Sequence, residues 1–304
     1  MDLKIVKFIQ SGANTFFDFF FSQVTKFGEE AFFVTLFLIL YWCVSYKYAF
    51  KFSLFYLSSV LFNNVLKIIV NRPRPWHISG DVINKVSASG KSFPSGHSQG
   101  ISCMTTFVVY DVCKNKGFSK FIKTTAISVG VVLSLLVGYS RIYLGQHYLT
   151  DVLAGYIFGV VIVLLLKYVF TKISPEFKQK FRLNLLLIIV SFVMIVCVCM
   201  VGISNLNLSV SVINKIFKYA AMAVSATAGY ILSTTYIPEY KQSFGVKVLK
   251  TIVGFLILFG IYSLVLMVPQ TRFIKAINIM LVLFVATFVY PFIFTLFYSK
   301  LKKD

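Results

Sequence analysis

Three clusters of this chain hold residues whose types suit chemistry on a phosphate: Lys67 with Arg74-Pro75, Pro94-Ser95-Gly96-His97, and Ser140-Arg141 with His147 and Asp151. Two of the three histidines lie in them. A phosphate monoester carries nearly two negative charges, and its transfer is catalysed mostly by positioning and charge stabilisation. Arg offers a planar fork to phosphate oxygens and Lys a point charge. Asn71, Arg72 and Pro73 break the helix that ends near Lys67, so the loop can turn Arg74 back over a site. Pro75 and Trp76 stiffen that turn. Ser95 suits a helix N-cap, Gly96 lets backbone N–H groups approach a ligand, and a helix start attracts anions. His97 would then lie beside the phosphoryl group, placed to protonate a leaving oxygen.

His147 and Asp151 are four residues apart and share a helix face. The carboxylate can bind one imidazole nitrogen and leave the other free as a nucleophile toward phosphorus. Arg141 would neutralise a third oxygen. No carboxylate cluster suits Mg²⁺, so neither a metal nor another cofactor is expected. Each piece alone has a plainer reading. Basic residues at helix ends anchor at interfaces, Ser-Gly caps helices, and Asp151 suits a helix N-terminus. Their joint occurrence in order makes the case for a site. His77 and Arg72 keep the plainer reading, because nothing in the pattern pairs with them.

The elements that must hold these clusters are membrane helices. The 304 residues are 58% hydrophobic and 13% charged, with a mean hydropathy of +0.82. Apolar runs of about 20 residues cross a bilayer core of ~30 Å as helices. Nine spans are expected, at 31–46, 50–69, 98–113, 122–140, 149–168, 183–203, 216–234, 248–268 and 276–298. Before them, Asn14, Asp18, Ser22 and Lys26 recur every four residues opposite Phe16, Phe17, Phe20, Val24 and Phe27. That pattern predicts an amphipathic helix lying in the interface. The fold expected is all-α: a polytopic transmembrane bundle of about nine spans plus this N-terminal interfacial helix. No cleavable signal peptide is expected, since the first strongly apolar stretch lacks a small-residue cleavage site. The five cysteines lie in or at the ends of spans, with no CxxC pair, and read as apolar filler.

The net charge of +20 is distributed between the spans, which points to membrane orientation rather than nucleic acid. With the N-terminus outside, the inner connections hold 17 of the 30 Lys and Arg residues. The loops 70–97 and 141–148 then open to the same outer side, as clusters sharing one substrate must. Segment 169–182 divides a motif-bearing half from a half without histidine.

These residues resemble the type 2 phosphatidic acid phosphatase superfamily, whose signature reads Lys-x6-Arg-Pro, Pro-Ser-Gly-His and Ser-Arg-x5-His-x3-Asp. Lys67 to Arg74-Pro75, Pro94 to His97, and Ser140-Arg141 to His147 and Asp151 match it without departure. The resemblance covers about residues 1–170. It implies metal-independent hydrolysis through a phosphohistidine, with His147 as nucleophile, Asp151 as its partner and His97 as acid. It also implies phosphate binding by Lys67, Arg74, Ser95, Gly96, His97 and Arg141. The usual members act on lipid phosphates or diphosphates from the outer face. The implied setting is a bacterial plasma membrane with an outward-facing site.

Residues 171–304 add about four transmembrane helices, a layout similar to glucose-6-phosphatase and the sphingosine-phosphate phosphatases. Four functions are weighed on this basis. The first is hydrolysis of a lipid such as undecaprenyl diphosphate, phosphatidylglycerophosphate or phosphatidate, with the bilayer as the other partner. A phosphatase for a soluble sugar phosphate and a non-catalytic lipid-phosphate transporter are the alternatives. Vanadium-dependent haloperoxidases share a similar cradle but are soluble, and the nine spans argue against them. Neither the oligomeric state nor the purpose of residues 183–304 follows from the sequence.

Overall fold

A computed structural model describes residues 2–88, 90–172, 210–238 and 242–301, and those residues are helical with connecting turns and no strand. The chain forms two compact units: residues 1–34 with 55–172, and residues 35–54 with 173–304. The division expected near residue 170 therefore differs in one respect, because residues 35–54 cluster with the second unit. Aromatic packing explains it. The Trp42 ring meets Phe255 and Tyr290 edge-on, each at 5.3 Å, and Phe50 stacks on Tyr230 at 4.1 Å.

The first unit begins with α1 (Asp2–Ser11), which the sequence reading did not anticipate, and α2 (Thr15–Val24). Asn14 caps α2, its Oδ1 accepting from Phe17 N at 3.0 Å. A 3₁₀ turn (Thr25–Gly28) continues it. Phe21 and Val24 are buried, while Phe16, Phe17, Phe20 and Phe27 of the expected apolar face are exposed. Asp18 pairs with Lys85 at 2.8 Å.

Next come α3 (Glu30–Cys43), α4 (Tyr46–Val70), the single turn α5 (Pro75–Ile78), α6 (Gly96–Lys114), α7 (Lys120–Tyr143) and α8 (Leu149–Lys172). Helix α6 packs against both α7 and α8. The contact with α8 is close because Gly155 and Gly159 stand where side chains would collide. A Cβ on Gly155 would lie 2.8 Å from the Ser95 carbonyl oxygen, and one on Gly159 2.7 Å from that of Gln99. This small-xxx-small spacing lets two membrane helices approach backbone to backbone. Gly138 of α7 likewise makes room for Tyr156 of α8, whose hydroxyl donates to Ser134 O at 2.7 Å. Val129, Val132, Leu135, Ile157, Val161 and Leu165 remain exposed on α7 and α8. On a water-soluble protein they would make an aggregation-prone patch.

The second unit contains the end of α3, the start of α4, α9 (Val210–Tyr236), α10 (Phe244–Leu266), α11 (Arg272–Phe284) and α12 (Tyr290–Leu301). A π-helical turn (Val285–Val289) joins α11 to α12. Pro291 has no N–H to give the Thr287 carbonyl. Ser233 Oγ donates to that oxygen instead, at 2.6 Å, and Trp42 Nε1 donates to Ala286 O at 2.8 Å.

Five segments of the described residues are long and apolar enough to span: 46–78, 120–143, 149–172, 244–266 and 272–299. Nine spans are not shown. Helix α3 has 14 residues, α6 and α9 are not among those five, and the expected span at 183–203 lies outside the described residues.

Candidate active site

Helix α4 ends at Val70 because Asn71 turns left-handed, with φ +50°, ahead of Pro73. The extended segment that follows carries Arg74 inward, where it is 5% exposed. Its Nε donates to Gly90 O at 2.8 Å, and its Nη1 donates to Gln146 O at 3.0 Å. Nη1 also lies 3.4 Å from His147 Nε2. A guanidinium can only donate, so Nε2 must be the lone-pair nitrogen and Nδ1 carries the proton.

The chain reverses at the end of α7 through Gly145, with φ +74°. A side chain there would strike the Ile83 carbonyl oxygen at 2.4 Å. Only glycine meets both demands comfortably. The reversal brings the backbone N–H groups of Gln146 and His147 onto the Arg141 carbonyl, at 2.9 and 3.2 Å. Arg141 and His147, six positions apart in sequence, are thereby fixed to each other.

Behind His147 stands Asp151 in the first turn of α8, fully buried. Its Oδ2 lies 3.4 Å from His147 Nδ1, accepts from Tyr148 N at 3.1 Å, and accepts a short hydrogen bond from Ser92 Oγ. Ser92 Oγ is itself 3.4 Å from His147 Nδ1. Oδ1 accepts from Arg72 Nη1 at 2.7 Å. The other Arg72 nitrogen reaches Asp2 of α1 at 2.9 Å, and its guanidinium lies over the Tyr148 ring at 3.9 Å. Burial, with the positive charges of Arg74, Lys67 and Arg141, pushes the His147 imidazole well below its ordinary value of 6.5. At neutral pH it is uncharged.

Ser95 caps α6, accepting from Ser98 N at 3.4 Å, and its own N–H donates to the Asp151 carbonyl at 3.0 Å. That bond ties the start of α6 to the start of α8. His97 follows in the first turn. Gly28 touches it so closely that a Cβ there would be 2.7 Å from His97 Cβ. Arg141, His147, Arg74 and Lys67 all act electrostatically on the His97 ring.

The remaining cations behave differently from one another. Lys67 Nζ donates to the carbonyls of Lys91, Ser92 and Pro94 at 2.8, 3.2 and 2.7 Å. Here it secures the loop carrying Ser92 and Ser95. Arg141 is 3% exposed, and its Nη1 donates to Thr25 Oγ1 at 2.6 Å. Its Nε is buried without any partner. An unsatisfied charged donor in a buried site is costly unless an anion takes it.

Hydrogen bonds and close contacts thus join Arg74, Asp151 and the Arg141 carbonyl to His147, and Ser95 to Asp151. The expectation for Arg72 is corrected: it grips Asp151. Residues spaced by two on extended backbone share a side, and that signal in Arg72-Pro73-Arg74 was available. Ser92, Thr25, Gly28 and Asp2 carry no comparable sequence signal. The His77 ring meets that of Trp76 at 5.3 Å. Among the described residues no three of His, Cys, Asp and Glu are grouped to hold a metal ion.

The chain is similar to phosphatidylglycerophosphatase B of Bacillus subtilis (strain 168), 41% identical over 121 residues that make up 40% of this chain and 56% of that protein. It is also similar to dolichyldiphosphatase of Saccharomyces cerevisiae, 36% identical over 107 residues, 34% of this chain and 44% of that one. The chain therefore spans about half the length of these curated relatives. In structure it resembles a transmembrane PAP2-type phosphatidylglycerolphosphate phosphatase from Bacillus subtilis, with a TM-score of 0.50 and 28% identity. That likeness covers 57% of this chain and 86% of the other. Residues 48–175 match the PAP2 superfamily, and residues 217–303 match the transmembrane extension of PAP2 superfamily phosphatases. This multi-pass membrane chain belongs to the PAP2 superfamily.

Proposed function

We propose that this protein hydrolyses a lipid phosphate or diphosphate through a phosphohistidine at His147, without a metal. One observation carries the reading: Arg74 Nη1 sits 3.4 Å from His147 Nε2 while Asp151 stands behind Nδ1. A neutral imidazole with its lone pair facing a buried cation is a nucleophile aimed at the place an anion would occupy.

Nε2 attacks phosphorus, and the bond from phosphorus to the leaving oxygen breaks. His97 gives that oxygen a proton. His97 then takes a proton from water, whose oxygen attacks phosphorus, and the P–N bond breaks to release inorganic phosphate and neutral His147. Arg74 and the unsatisfied Arg141 Nε hold the equatorial oxygens, joined by the N–H groups of Gly96 and His97 at the start of α6. Lys67 joins them when a phosphate draws it from its carbonyls. Asp151 keeps Nδ1 protonated and stabilises the positive charge His147 acquires on attack.

A lipid substrate is supported by the apolar faces of α7 and α8 and by the names of the relatives, a phosphatidylglycerophosphatase and a dolichyldiphosphatase. We place the site on the outer membrane face of a nine-span bundle, on the distribution of Lys and Arg. The testing experiment measures phosphate release by purified protein in EDTA, from phosphatidylglycerophosphate, undecaprenyl diphosphate and glucose 6-phosphate. Turnover of a lipid substrate, lost in His147→Ala, is expected. Turnover of the sugar phosphate alone, or none in EDTA, would overturn the reading.

A further inference from the structure

The second unit carries its three acids, Glu176, Glu239 and Asp304, outside the described residues. Its described residues contain nine Lys and Arg and no Asp or Glu. One of those cations, Lys250, is buried, with 1% of its surface exposed. Its Nζ has one long hydrogen bond, 3.4 Å to the Trp42 carbonyl, and lies 5.9 and 5.6 Å from the rings of Tyr46 and Phe294. Carbonyl and ring contacts soften a buried ammonium without neutralising it.

Lys250 lines a cavity of about 430 Å³ together with Lys247, Gln242, Tyr41, Trp42 and Tyr46. This is the size of a small-molecule pocket. Lys247 sits one turn before Lys250 on α10 and forms no ion pair among the described residues. Gln242 Oε1 is buried with no hydrogen-bond partner among the described residues. The cavity thus presents two positive charges and one unmet acceptor. It lies at the first turns of α10, a helix that starts at Phe244 and is long and apolar enough to span. Lipid headgroups occupy that level of a membrane, and basic pockets between helices there bind anionic headgroups.

We infer that this cavity binds a phosphate-bearing anion that also offers a hydroxyl, as an anionic glycerophospholipid headgroup does. The two ammonium groups take the phosphate and Gln242 Oε1 takes the hydroxyl. The site belongs to the second unit alone and needs none of the phosphatase chemistry.

Trp42, one of two tryptophans, reports on the cavity once Trp76→Phe removes the other. The full chain in neutral detergent is titrated with dihexanoyl phosphatidylglycerol, dihexanoyl phosphatidylcholine and inorganic phosphate while Trp42 emission is followed. A saturable change with phosphatidylglycerol, absent with the zwitterionic lipid, is expected. It should weaken about tenfold or more in Lys250→Met and in Lys247→Gln, the loss of one charged hydrogen bond. Lys247→Gln decides the matter if Lys250→Met does not fold. Saturation by inorganic phosphate that displaces the lipid would make free phosphate the ligand, and saturation by the lipid alone would make it the headgroup. An equal response to phosphatidylcholine, no saturable response to either anion, or unchanged affinity in the folded variants would overturn the inference.

Discussion

Arg72 Nη1 lies 2.7 Å from Asp151 Oδ1, so the carboxylate behind His147 is held from both sides. Its inner oxygen serves Ser92, Tyr148 N and His147, and its outer oxygen serves a cation anchored on Asp2. The orientation of the nucleophile is thereby traced from α8, through Asp151, to the N-terminal helix.

Removing that grip should slow chemistry more than binding. Arg72→Ala should lower kcat by about 10²-fold with a small change in KM, the cost of a misaimed reacting group. Arg72→Lys, which keeps the charge and loses the fork, should fall between. Steady-state kinetics on a lipid phosphate checks this. A KM effect without a kcat effect would make Arg72 a substrate contact instead.

Gly28 supports His97, and its effect should depend on the leaving group. Gly28→Ala places a methyl 2.7 Å from His97 Cβ, displacing the ring. General acid catalysis contributes roughly 10²–10⁴-fold when the leaving oxygen is basic. Hydrolysis of an alkyl phosphate should therefore drop far more than that of p-nitrophenyl phosphate, whose phenolate leaves unaided. Equal losses on both would mean that His97 is not the acid.

The pH dependence follows from the environment of His147. Burial and the nearby cations hold its imidazole below 6.5, and in the proposed mechanism the neutral form attacks phosphorus. The acid limb of kcat/KM, where His147 becomes protonated, should therefore be centred below 6.5. An acid limb centred above 6.5 would contradict this assignment of the free-enzyme group.

Gly155 joins the two halves of the site. A methyl there meets the Ser95 carbonyl oxygen at 2.8 Å, a backbone atom with little room to move. Gly155→Ala should destabilise by about 1–3 kcal/mol, as overpacking does, and lower kcat as well, because α6 and α8 separate. Thermal unfolding beside activity reads both effects. Wild-type values for both would remove the close approach from the mechanism.

Much of this was legible in the sequence, for a physical reason. Lys67, Arg74, Ser95, His97, Arg141, His147 and Asp151 follow from the charge and geometry a phosphate demands, and chemistry limits the alternatives. Apolar run length likewise marks α4, α7, α8 and α10. The supporting residues were hidden because their roles exist only in three dimensions. Ser92, Thr25 and Asp2 are ordinary polar residues until folding sets them beside Asp151, Arg141 and Arg72. Helix α6 shows the opposite error. Its first turn is polar, and Ser98 and Gln99 dilute the apolar run expected at 98–113. Residues 35–54 read as ordinary spans, and nothing in their composition reveals that Trp42 and Phe50 pack with the C-terminal helices.

The most direct test traps the covalent species. Protein mixed with ³²P-labelled lipid phosphate is quenched in alkali within one turnover, and the labelled peptide is sequenced. Label at His147, stable to alkali, lost in acid and absent from His147→Ala, is the predicted result. Label on another residue, or a His147→Ala variant that still turns over substrate, would contradict a nucleophile at this position.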